Sequence, residues 1–406
     1  MDIMQTNSER SWVASANAAD CDFPIQNLPY GIFSTGSGNR RCGVAIGDMI
    51  VDLAACEDAG MIDGQGAFGQ PDLNLFIAQG PERWRTVRAR LTELLSEAGE
   101  PSLPLVPMAE AKLHLPVRVT EYTDFYASKN HAFNVGILFR GPENALPAQW
   151  TQMPIGYNGR ASSVVVSGTD IRRPMGQIKG KNGPVWSRSG RLDLELELGA
   201  IVGVETKLGE RVSVEDAETM IFGYVLLNDW SARDIQAWEY QPLGPFQAKA
   251  FGTTISPWIV TQAALDPFRS PGAARVEPLL PYLSEERPGL YDLVVGWRMN
   301  GQTMCRTNYN VMYYSSAQQL AHHSSSGCPM RVGDLLGSGT ISGPELDQTG
   351  ALLEMTQGGK ISVDVGGDTR TFIEDGDEVE LYGYAAGEGY RIGFGPCSGR
   401  ILPAVE

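Results

Sequence analysis

Residues 192–199 read Leu-Asp-Leu-Glu-Leu-Glu-Leu-Gly, a stretch in which leucine and acidic residues alternate. Successive side chains of a β-strand point to opposite faces, so Asp193, Glu195 and Glu197 would share one face, opposite the leucines. Two interpretations remain open: an edge strand with a solvated acidic face, or a buried group of carboxylates. A buried group of like charges requires a compensating cation. Oxygen ligands alone favour Mg²⁺ or Ca²⁺ over Zn²⁺.

Most of the chain after residue 116 has the same β-strand character. Further strands are predicted at Ser163–Ser167, Ile259–Thr261, Leu293–Trp297, Ile361–Val365 and Val379–Tyr384. Asn-Gly and Asp-Gly pairs beginning at residues 158, 182, 300 and 375 suit tight hairpins. The clearest helices run from Ser213 to about Phe222, from Ser231 to Tyr240, and from about Asn310 to His323. The pattern predicts a β-rich mixed α/β fold.

The length of 406 residues exceeds what one hydrophobic core usually serves, which favours two domains. Short strand-like runs between Phe23 and Leu53 predict a small N-terminal β unit. A helix is predicted from Pro81 to Gly99, and its apolar side consists of Trp84, Val87, Leu91, Leu94 and Leu95. The proline-bearing stretch Pro101–Pro116 is the best candidate for a linker. We therefore predict an N-terminal domain at 1–116 and a catalytic domain at 117–406.

The composition argues against several classes of protein. Asp and Glu number 48 against 32 Lys and Arg, a net charge of −16 that repels nucleic acid and anionic lipid. No apolar run approaches the roughly 18 residues that a membrane helix needs. The six cysteines form no CxxC pair and the first residues show no secretion signal, so we expect reduced thiols in the cytoplasm. GxSxG, HExxH and Walker A motifs are absent from the sequence.

A second informative segment runs from Val225 to Tyr240. Its apolar strand ends at Asn228-Asp229, and Ser231 could cap the helix that follows. On that helix Arg233, Gln236 and Tyr240 are spaced i, i+3 and i+7 and therefore share one face. They could hold an anionic substrate beside a metal-binding carboxylate. An ordinary amphipathic helix with a polar outer face would show the same spacing.

The third segment, Tyr122-Thr-Asp-Phe-Tyr-Ala-Ser-Lys-Asn-His131, is followed by Arg140 and Tyr157. The chain has four histidines, and a single histidine is more often a structural hydrogen-bonding group than a catalyst. Asp124, Tyr126 and Arg140 nearby favour a functional role for His131. The adjacent His322 and His323 end a predicted helix, where a cation suits the helix dipole, and we interpret them as structural.

Taken together, these segments resemble the fumarylacetoacetate hydrolase family, from Phe23-Pro-Ile-Gln-Asn-Leu-Pro-Tyr-Gly nearly to the C-terminus. The most specific matching stretches are Tyr122–Gly141, Gly156–Gly176, Asn228–Tyr240, Pro242–Trp258 and Gly337–Gly343. The resemblance implies an SH3-like β-barrel at the N-terminus, a larger β-roll catalytic domain and a homodimer.

The resemblance also implies the cofactor and its ligands. The metal would be Mg²⁺ or Ca²⁺, and its ligands would be Asp124, Glu195, Glu197 and Asp229. A second cation site would include Asp229 together with Lys249 and Thr253.

Catalytic and substrate-binding residues are implied in the same way. His131 would be the general base, oriented by Glu354, while Arg233, Gln236 and Lys249 would stabilise the negative charge that develops. The side chains expected to contact the substrate are Tyr126, Arg140, Tyr157, Gln236, Tyr240 and Thr340. The family often has histidine where this chain has Asn158.

The implied activity is metal-dependent hydrolysis of a carbon–carbon bond in 4-fumarylacetoacetate, giving fumarate and acetoacetate during tyrosine and phenylalanine degradation. One alternative within the superfamily is an acylpyruvate hydrolase, or a hydratase or decarboxylase of related oxo-diacids. An alternative of another class is a catalytically silent metal-binding protein. Such a protein should have lost His131 or Glu354, yet both positions are filled.

Overall fold

A computed structural model describes residues 9–275 and 277–405. The N-terminal part contains five short strands, which are β1 (Tyr30–Thr35), β2 (Arg41–Ile46), β3 (Met49–Asp52), β4 (Leu105–Pro107) and β5 (Ala111–His114). The strands that follow are β6 (Tyr122–Phe125), β7 (Gly156–Asn158), β8 (Val164–Val166), β9 (Ile171–Arg172), β10 (Met175–Gly180), β11 (Gly183–Arg188), β12 (Leu192–Asp193), β13 (Leu196–Val202), β14 (Ile221–Asp229), β15 (Ser231–Ala232), β16 (Thr253–Ile255) and β17 (Trp258–Thr261). The C-terminal strands are β18 (Arg269–Ser270), β19 (Leu290–Tyr291), β20 (Val294–Met299), β21 (Gln302–Asn308), β22 (Leu335–Gly337), β23 (Val363–Val365), β24 (Asp368–Arg370), β25 (Glu378–Ala386), β26 (Arg391–Gly393) and β27 (Cys397–Leu402).

The helices are short and lie between these strands. The α-helices are α1 (Leu53–Asp58), α2 (Asn74–Ile77), α3 (Pro81–Leu95), α4 (Lys129–Arg140), α5 (Val214–Met220), α6 (Arg233–Glu239), α7 (Gln247–Ala250), α8 (Gln262–Leu265), α9 (Ser316–Ser324) and α10 (Leu352–Met355). The described part of the chain is thus a sheet-rich α/β fold, as the sequence predicts.

A 13-stranded sheet forms the centre of the molecule, and its main path runs β4-β3-β2-β1-β17-β14-β13-β22-β6-β7. All nine residues of β14 are buried, which fits a continuous apolar run between two neighbouring strands. The N-terminal strands join this sheet where Tyr30 of β1 pairs with Ile259 of β17. Within the described residues no pairing closes the N-terminal strands into a barrel.

The segment Pro101–Pro116 is more structured than the predicted linker. Its two strands, β4 and β5, pair with β3 and β1. Its prolines precede β4, end that strand or follow β5, where a missing N–H costs little. This segment therefore belongs to the N-terminal part of the sheet.

A six-stranded sheet of β21-β20-β25-β27-β9, with β26 beside β25, lies next to the central sheet. Its β20–β21 hairpin turns at Asn300 and Gly301, whose φ values of 51° and 81° are those of a tight hairpin turn, as their sequence predicts. The apolar sides of this sheet and of β13 and β14 contribute to one large core that includes Trp297.

Several predicted element boundaries are wrong by a few residues. The strand predicted over Leu192–Leu198 is interrupted, because β12 pairs with β15 whereas β13 pairs with β14. The third predicted helix begins only at Ser316, whose preceding residue Ser315 forms a capping box with Gln318. Helix α3 ends at Leu95, before Gly99, and buries Val87, Leu91, Leu94 and Leu95 as expected.

All six cysteines are free, as predicted. In the described residues, no helix has both the length and the apolar character required to cross a membrane.

We expect the junction between β1 and β17 to tolerate no side chain at Gly31. A Cβ atom there would lie 2.5 Å from the Trp258 ring and 2.9 Å from the Pro257 carbonyl oxygen. Gly31→Ala should therefore lower the free energy of unfolding by about 1–3 kcal/mol, measured as an earlier denaturation midpoint. The exposed Gly69, with no atom within 4 Å of its added Cβ, is the matched control. Equal midpoints for the two alanine variants would contradict this account of the junction.

Candidate active site

Four buried carboxylates meet at one end of the central sheet. Asp124 comes from β6, Glu197 from β13 and Asp229 from the last position of β14, while Glu195 precedes β13. One oxygen from each of the four lies within 4.8 Å of the others, and all four residues are buried. The solvated acidic face that the sequence left open is therefore excluded. Asp193 is outside this group, since its carboxylate accepts hydrogen bonds from the main chain of α10 instead.

Two cations compensate part of this charge. Lys249 Nζ lies 2.5 Å from Glu195 Oε2 and 2.6 Å from Asp229 Oδ2. Arg233 Nη2 lies 2.7 Å from Glu195 Oε1. Burial would raise the pKa of Glu195, but the charges of Lys249 and Arg233 lower it, so this carboxylate is ionised.

The other two carboxylates of the group, Asp124 and Glu197, are not compensated in this way. Burial raises the pKa of Asp124 and Glu197 well above their usual range, and neighbouring carboxylates add to the effect. Asp124 Oδ1 and Glu197 Oε1 are buried and accept no hydrogen bond among the described residues. Either protons or a cation must offset this charge. The all-oxygen donor set fits a hard divalent cation.

His131 lies beside this group, in the first turn of α4. Ser128 begins the helix by accepting a hydrogen bond from the His131 main-chain N–H. The His131 Nδ1 atom lies 2.6 Å from Glu354 Oε1. Burial would raise the pKa of Glu354, but His131 and two further donors, Ser342 Oγ and Asn134 Nδ2, lower it. Because the ionised Glu354 accepts from Nδ1, this contact assigns the proton to Nδ1 and leaves Nε2 as the basic atom.

Helix α6 brings Arg233, Gln236 and Tyr240 to one face, as their spacing predicts. Arg233 Nε donates to Asp193 Oδ2 at 2.8 Å, and Nη1 donates to Gln236 Oε1 at 3.0 Å. Asp193 therefore positions the arginine. The predicted cap by Ser231 is wrong: the residue preceding the helix is Ala232, and the Ser231 hydroxyl donates to the Asp229 carbonyl. A short strand, β15, occupies the position of the expected cap.

These groups face one cavity of about 400 Å³. The predicted site residues that line it are Asp124, Tyr126, His131, Arg140, Tyr157, Glu195, Arg233, Gln236, Tyr240, Lys249 and Thr340. The remaining four are Glu197, Asp229, Thr253 and Glu354, and each contacts a member of the site from behind the cavity wall. The structure therefore brings together every residue that the resemblance implied.

Contacts within the cavity refine individual roles. Tyr157 donates to Asp229 Oδ2 at 3.1 Å, and Thr340 Oγ1 lies 3.2 Å from His131 Nε2. Arg140 donates to the carbonyls of Asn144 and Ala145, which hold its guanidinium at the cavity. The Lys249 ammonium is a hydrogen-bond donor without a lone pair, so its Nζ does not suit the role of a cation ligand.

The sequence predicts Asp193 only as part of the acidic face, and it predicts no role for Ser342 or Asn134. Asp193 belongs to the alternating acidic stretch, which was a usable signal, but its partner Arg233 lies forty positions away. Ser342 and Asn134 support Glu354 through contacts that only the folded chain creates. Asn158 is an exposed residue of β7 that pairs with Thr123.

The other three histidines make structural hydrogen bonds. His114 contacts Ser34, His323 contacts Thr123, and His322 contacts Tyr282. Burial lowers the pKa of both His322 and His323. Hydrogen bonds, and not a charge at the helix end, therefore account for this pair.

Two models of known protein families match this chain. The family model for the C-terminal domain of fumarylacetoacetate hydrolase matches residues 120–402. The chain belongs to the fumarylacetoacetate hydrolase family. A second model of this family, for the N-terminal domain of fumarylacetoacetase, matches residues 26–116.

Relatives in this family match nearly the whole chain. A fumarylacetoacetase from Rattus norvegicus is 49% identical over 414 residues, covering 96% of this chain and 98% of the relative. The Homo sapiens enzyme is 48% identical, with the same coverage. The Arabidopsis thaliana enzyme is 47% identical, covering 95% of this chain and 97% of the relative.

Solved structures of lower sequence identity share the fold. A fumarylacetoacetate hydrolase from Exiguobacterium antarcticum aligns with a TM-score of 0.58 at 17% identity, covering 93% of this chain and 99% of its own. A maleylpyruvate hydrolase from Sphingobium, in complex with Mn²⁺ and pyruvate, aligns with a TM-score of 0.54 at 17% identity, covering 93% of this chain and 100% of its own.

Because the charge of Asp124 is not compensated by a cation, we expect Asp124→Asn to affect the protein differently without and with bound metal. Without metal, removing a buried charge should leave the thermal midpoint unchanged or raise it. With metal, loss of one ligand should weaken Mg²⁺, Ca²⁺ or Mn²⁺ binding at least tenfold, measured by calorimetry, and reduce metal-induced stabilisation. Asp334→Asn, at a buried carboxylate outside the group, is the control. Equal metal affinity in the two variants would exclude Asp124 as a ligand.

Proposed function

We propose that this protein hydrolyses 4-fumarylacetoacetate to fumarate and acetoacetate, a step of tyrosine and phenylalanine degradation, with a divalent cation as cofactor. The observation that carries the proposal is the placement of His131 Nε2. This basic atom faces the same cavity as the carboxylate group, and it lies 3.8 Å from Glu195 Oε1. The full-length similarity to fumarylacetoacetases supports the same reaction.

The cation would be held by Asp124, Glu195, Glu197 and Asp229, and when bound it would supply a Lewis acid that polarises the ketone oxygens of the substrate. Mg²⁺ and Ca²⁺ both suit such ligands. A further cation near Asp229, Lys249 and Thr253 is part of the proposal. There the oxygens of Asp229 and Thr253 are the suitable ligands, because the Lys249 ammonium lacks a lone pair.

His131 is proposed to activate the attacking water. Its Nε2 takes a proton from the water, whose oxygen then bonds to a ketone carbon of the substrate. Glu354 keeps Nδ1 protonated and stabilises the imidazolium that forms. When the carbon–carbon bond breaks, its electron pair leaves with the acetoacetate fragment as an enolate. The enolate carbon then accepts the proton held by the imidazolium, which restores neutral His131, and the other fragment is released as fumarate.

Three donors are suited to stabilise the developing negative charge. Gln236 Oε1 already accepts from Arg233, so its amide N–H groups are available to a substrate oxygen. Arg233 and Lys249 line the same cavity. A donor of this kind is worth roughly 3 kcal/mol of the activation barrier.

Substrate binding is proposed for the outer part of the cavity. Arg140 would pair with a terminal carboxylate, and Tyr126, Tyr157, Tyr240 and Thr340 would supply hydroxyl groups. Arg233 and Lys249 are already paired with Glu195 and Asp229, whereas Arg140 forms no ion pair with a described residue. Arg140 and the proposed metal ion would therefore supply the positive charge with which a protein of net charge −16 accepts a dianion.

The remaining features of the proposal follow the family. We propose domains at 1–116 and 117–406, of which residues 1–8, 276 and 406 lie outside the described structure. An SH3-like barrel is proposed for the N-terminal strands, supported by the antiparallel run β5-β1-β2-β3-β4. A homodimer in the cytoplasm completes the proposal, and the six free thiols suit a reducing compartment.

Hydrolysis of an acylpyruvate is the second candidate, favoured by the shared fold of a maleylpyruvate hydrolase. The same base and carboxylate group would serve both reactions, and only the substrate would differ.

The reaction is tested by following the ultraviolet absorbance of fumarylacetoacetate with purified protein. Chelator should abolish the loss of absorbance, and added Mg²⁺ or Ca²⁺ should restore it together with fumarate formation. His131→Ala should lose activity while still binding metal. No loss of fumarylacetoacetate with any metal would overturn the proposal, and turnover of acylpyruvates alone would establish the second candidate.

Glu354→Gln should lower kcat roughly 100-fold or more and change KM little, because it affects the base and not the groups that hold the substrate. The neutral amide can neither fix the Nδ1 proton nor stabilise the imidazolium. Steady-state kinetics on purified variants measure the effect, with the exposed Glu388→Gln as control. An unchanged kcat would remove Glu354 from the mechanism.

A further inference from the structure

A second cavity, of about 200 Å³, lies between α3 and the end of the central sheet. It is lined by Tyr30 of β1, by Trp84, Arg85 and Arg88 of α3, and by Phe222 of β14. Phe222 and Asp229 are seven positions apart on β14, so at about 3.3 Å per residue this cavity is roughly 23 Å from the carboxylate group. It is therefore separate from the candidate active site.

Arg88 is the first unusual group of this cavity. Three arginines are buried in the described structure, and two of them, Arg173 and Arg233, form ion pairs with aspartates. Arg88 has no carboxylate within 4.0 Å among residues 9–275 and 277–405. Burial lowers the pKa of its guanidinium, and the charge of Glu9 raises it only from a greater distance. Its Nη1 and Nη2 donate to the carbonyls of Asn27 and Gln26 at 2.6 Å. A buried guanidinium without an anion is costly, and a ligand anion would compensate it.

Tyr30 is the second unusual group. Its side chain is 1% exposed, and its hydroxyl has no hydrogen-bond partner within the described residues. Burial raises the pKa of this phenol, which therefore keeps its proton and can donate. An unpaired buried hydroxyl beside an uncompensated arginine suggests that an acceptor carrying negative charge is missing.

The walls and the rim of the cavity limit the kind of anion. The rings of Trp84 and Phe222 lie 5.1 Å apart and nearly perpendicular, so together they form an apolar corner of the cavity. The exposed Arg85 at the rim makes no ion pair with any described residue. Asp266 also lines the cavity, but its carboxylate is already bound by Arg269 at 2.6 Å.

We propose that this cavity binds a small planar carboxylate, with an aromatic monocarboxylate as the best fit. The carboxylate pairs with Arg88 and accepts a hydrogen bond from the Tyr30 hydroxyl, and the ring packs against Trp84 and Phe222. The size is adequate, because a protein cavity of roughly 150 Å³ accommodates benzene. Such a ligand would contact both the N-terminal helix α3 and strand β14 of the catalytic part.

Calorimetry with benzoate on the full chain tests this site. We expect one saturable site per chain, a raised thermal midpoint, and no comparable effect of benzamide, which has the same shape without the charge. Tyr30→Phe should weaken benzoate binding about tenfold. It should not destabilise the ligand-free protein, because it removes an unpaired buried hydroxyl. Tyr282→Phe, at an exposed tyrosine, is the matched control and should bind benzoate normally.

Other outcomes would overturn the proposal. Binding that is lost in His131→Ala but kept in Tyr30→Phe would place benzoate in the candidate active site. An equal midpoint shift with sulfate or chloride would indicate an unspecific anion effect. No benzoate binding at millimolar concentration would mean that water alone satisfies Tyr30 and Arg88. None of these results depends on the reaction proposed above, because the measured quantity is binding of benzoate.

Discussion

Four buried carboxylates, with one oxygen of each within 4.8 Å of the others, form the constraint on which the rest of this structure depends. Such an arrangement is unstable unless positive charge is supplied. Lys249 and Arg233 supply it to Glu195 and, through Lys249, to Asp229. Asp124 and Glu197 receive no comparable partner, and each keeps a buried oxygen without a hydrogen bond. This imbalance makes the group suitable for binding a cation.

The fold meets this constraint through the order of strands in the central sheet. Strands β13 and β14 are direct neighbours, and β22 connects β13 to β6, so three of the four carboxylates come from one patch of rigid sheet. His131 follows β6 after a short turn, so the proposed base is positioned by the same strand that supplies Asp124. Positions on strands and helices are held more precisely than positions on loops, which keeps His131 and the carboxylates in fixed relation.

The two cavities differ in how their charges are balanced. In the candidate active site every arginine and lysine that contacts the carboxylate group is itself paired. The cavity beside α3 has the opposite arrangement. The buried Arg88 donates to two carbonyls and to the Thr261 hydroxyl, and no carboxylate of the described residues lies within 4.0 Å of it. Strand β14 extends from one cavity to the other, so a ligand bound in either cavity would lie beside the same central strand.

The sequence alone determined the fold class, the family and the alternating acidic stretch. It also determined the shared face of Arg233, Gln236 and Tyr240. These features follow from local periodicity and from long matching stretches, which are properties of the chain itself. The burial of the acidic stretch could not be derived from its alternation, because a solvated edge strand has the same pattern. The role of Asp193 and the pairing of the Pro101–Pro116 segment depend on partners that are distant in sequence. Only the tertiary structure decided these points, since the free energy of a charge or a strand edge depends on what the folded chain places beside it.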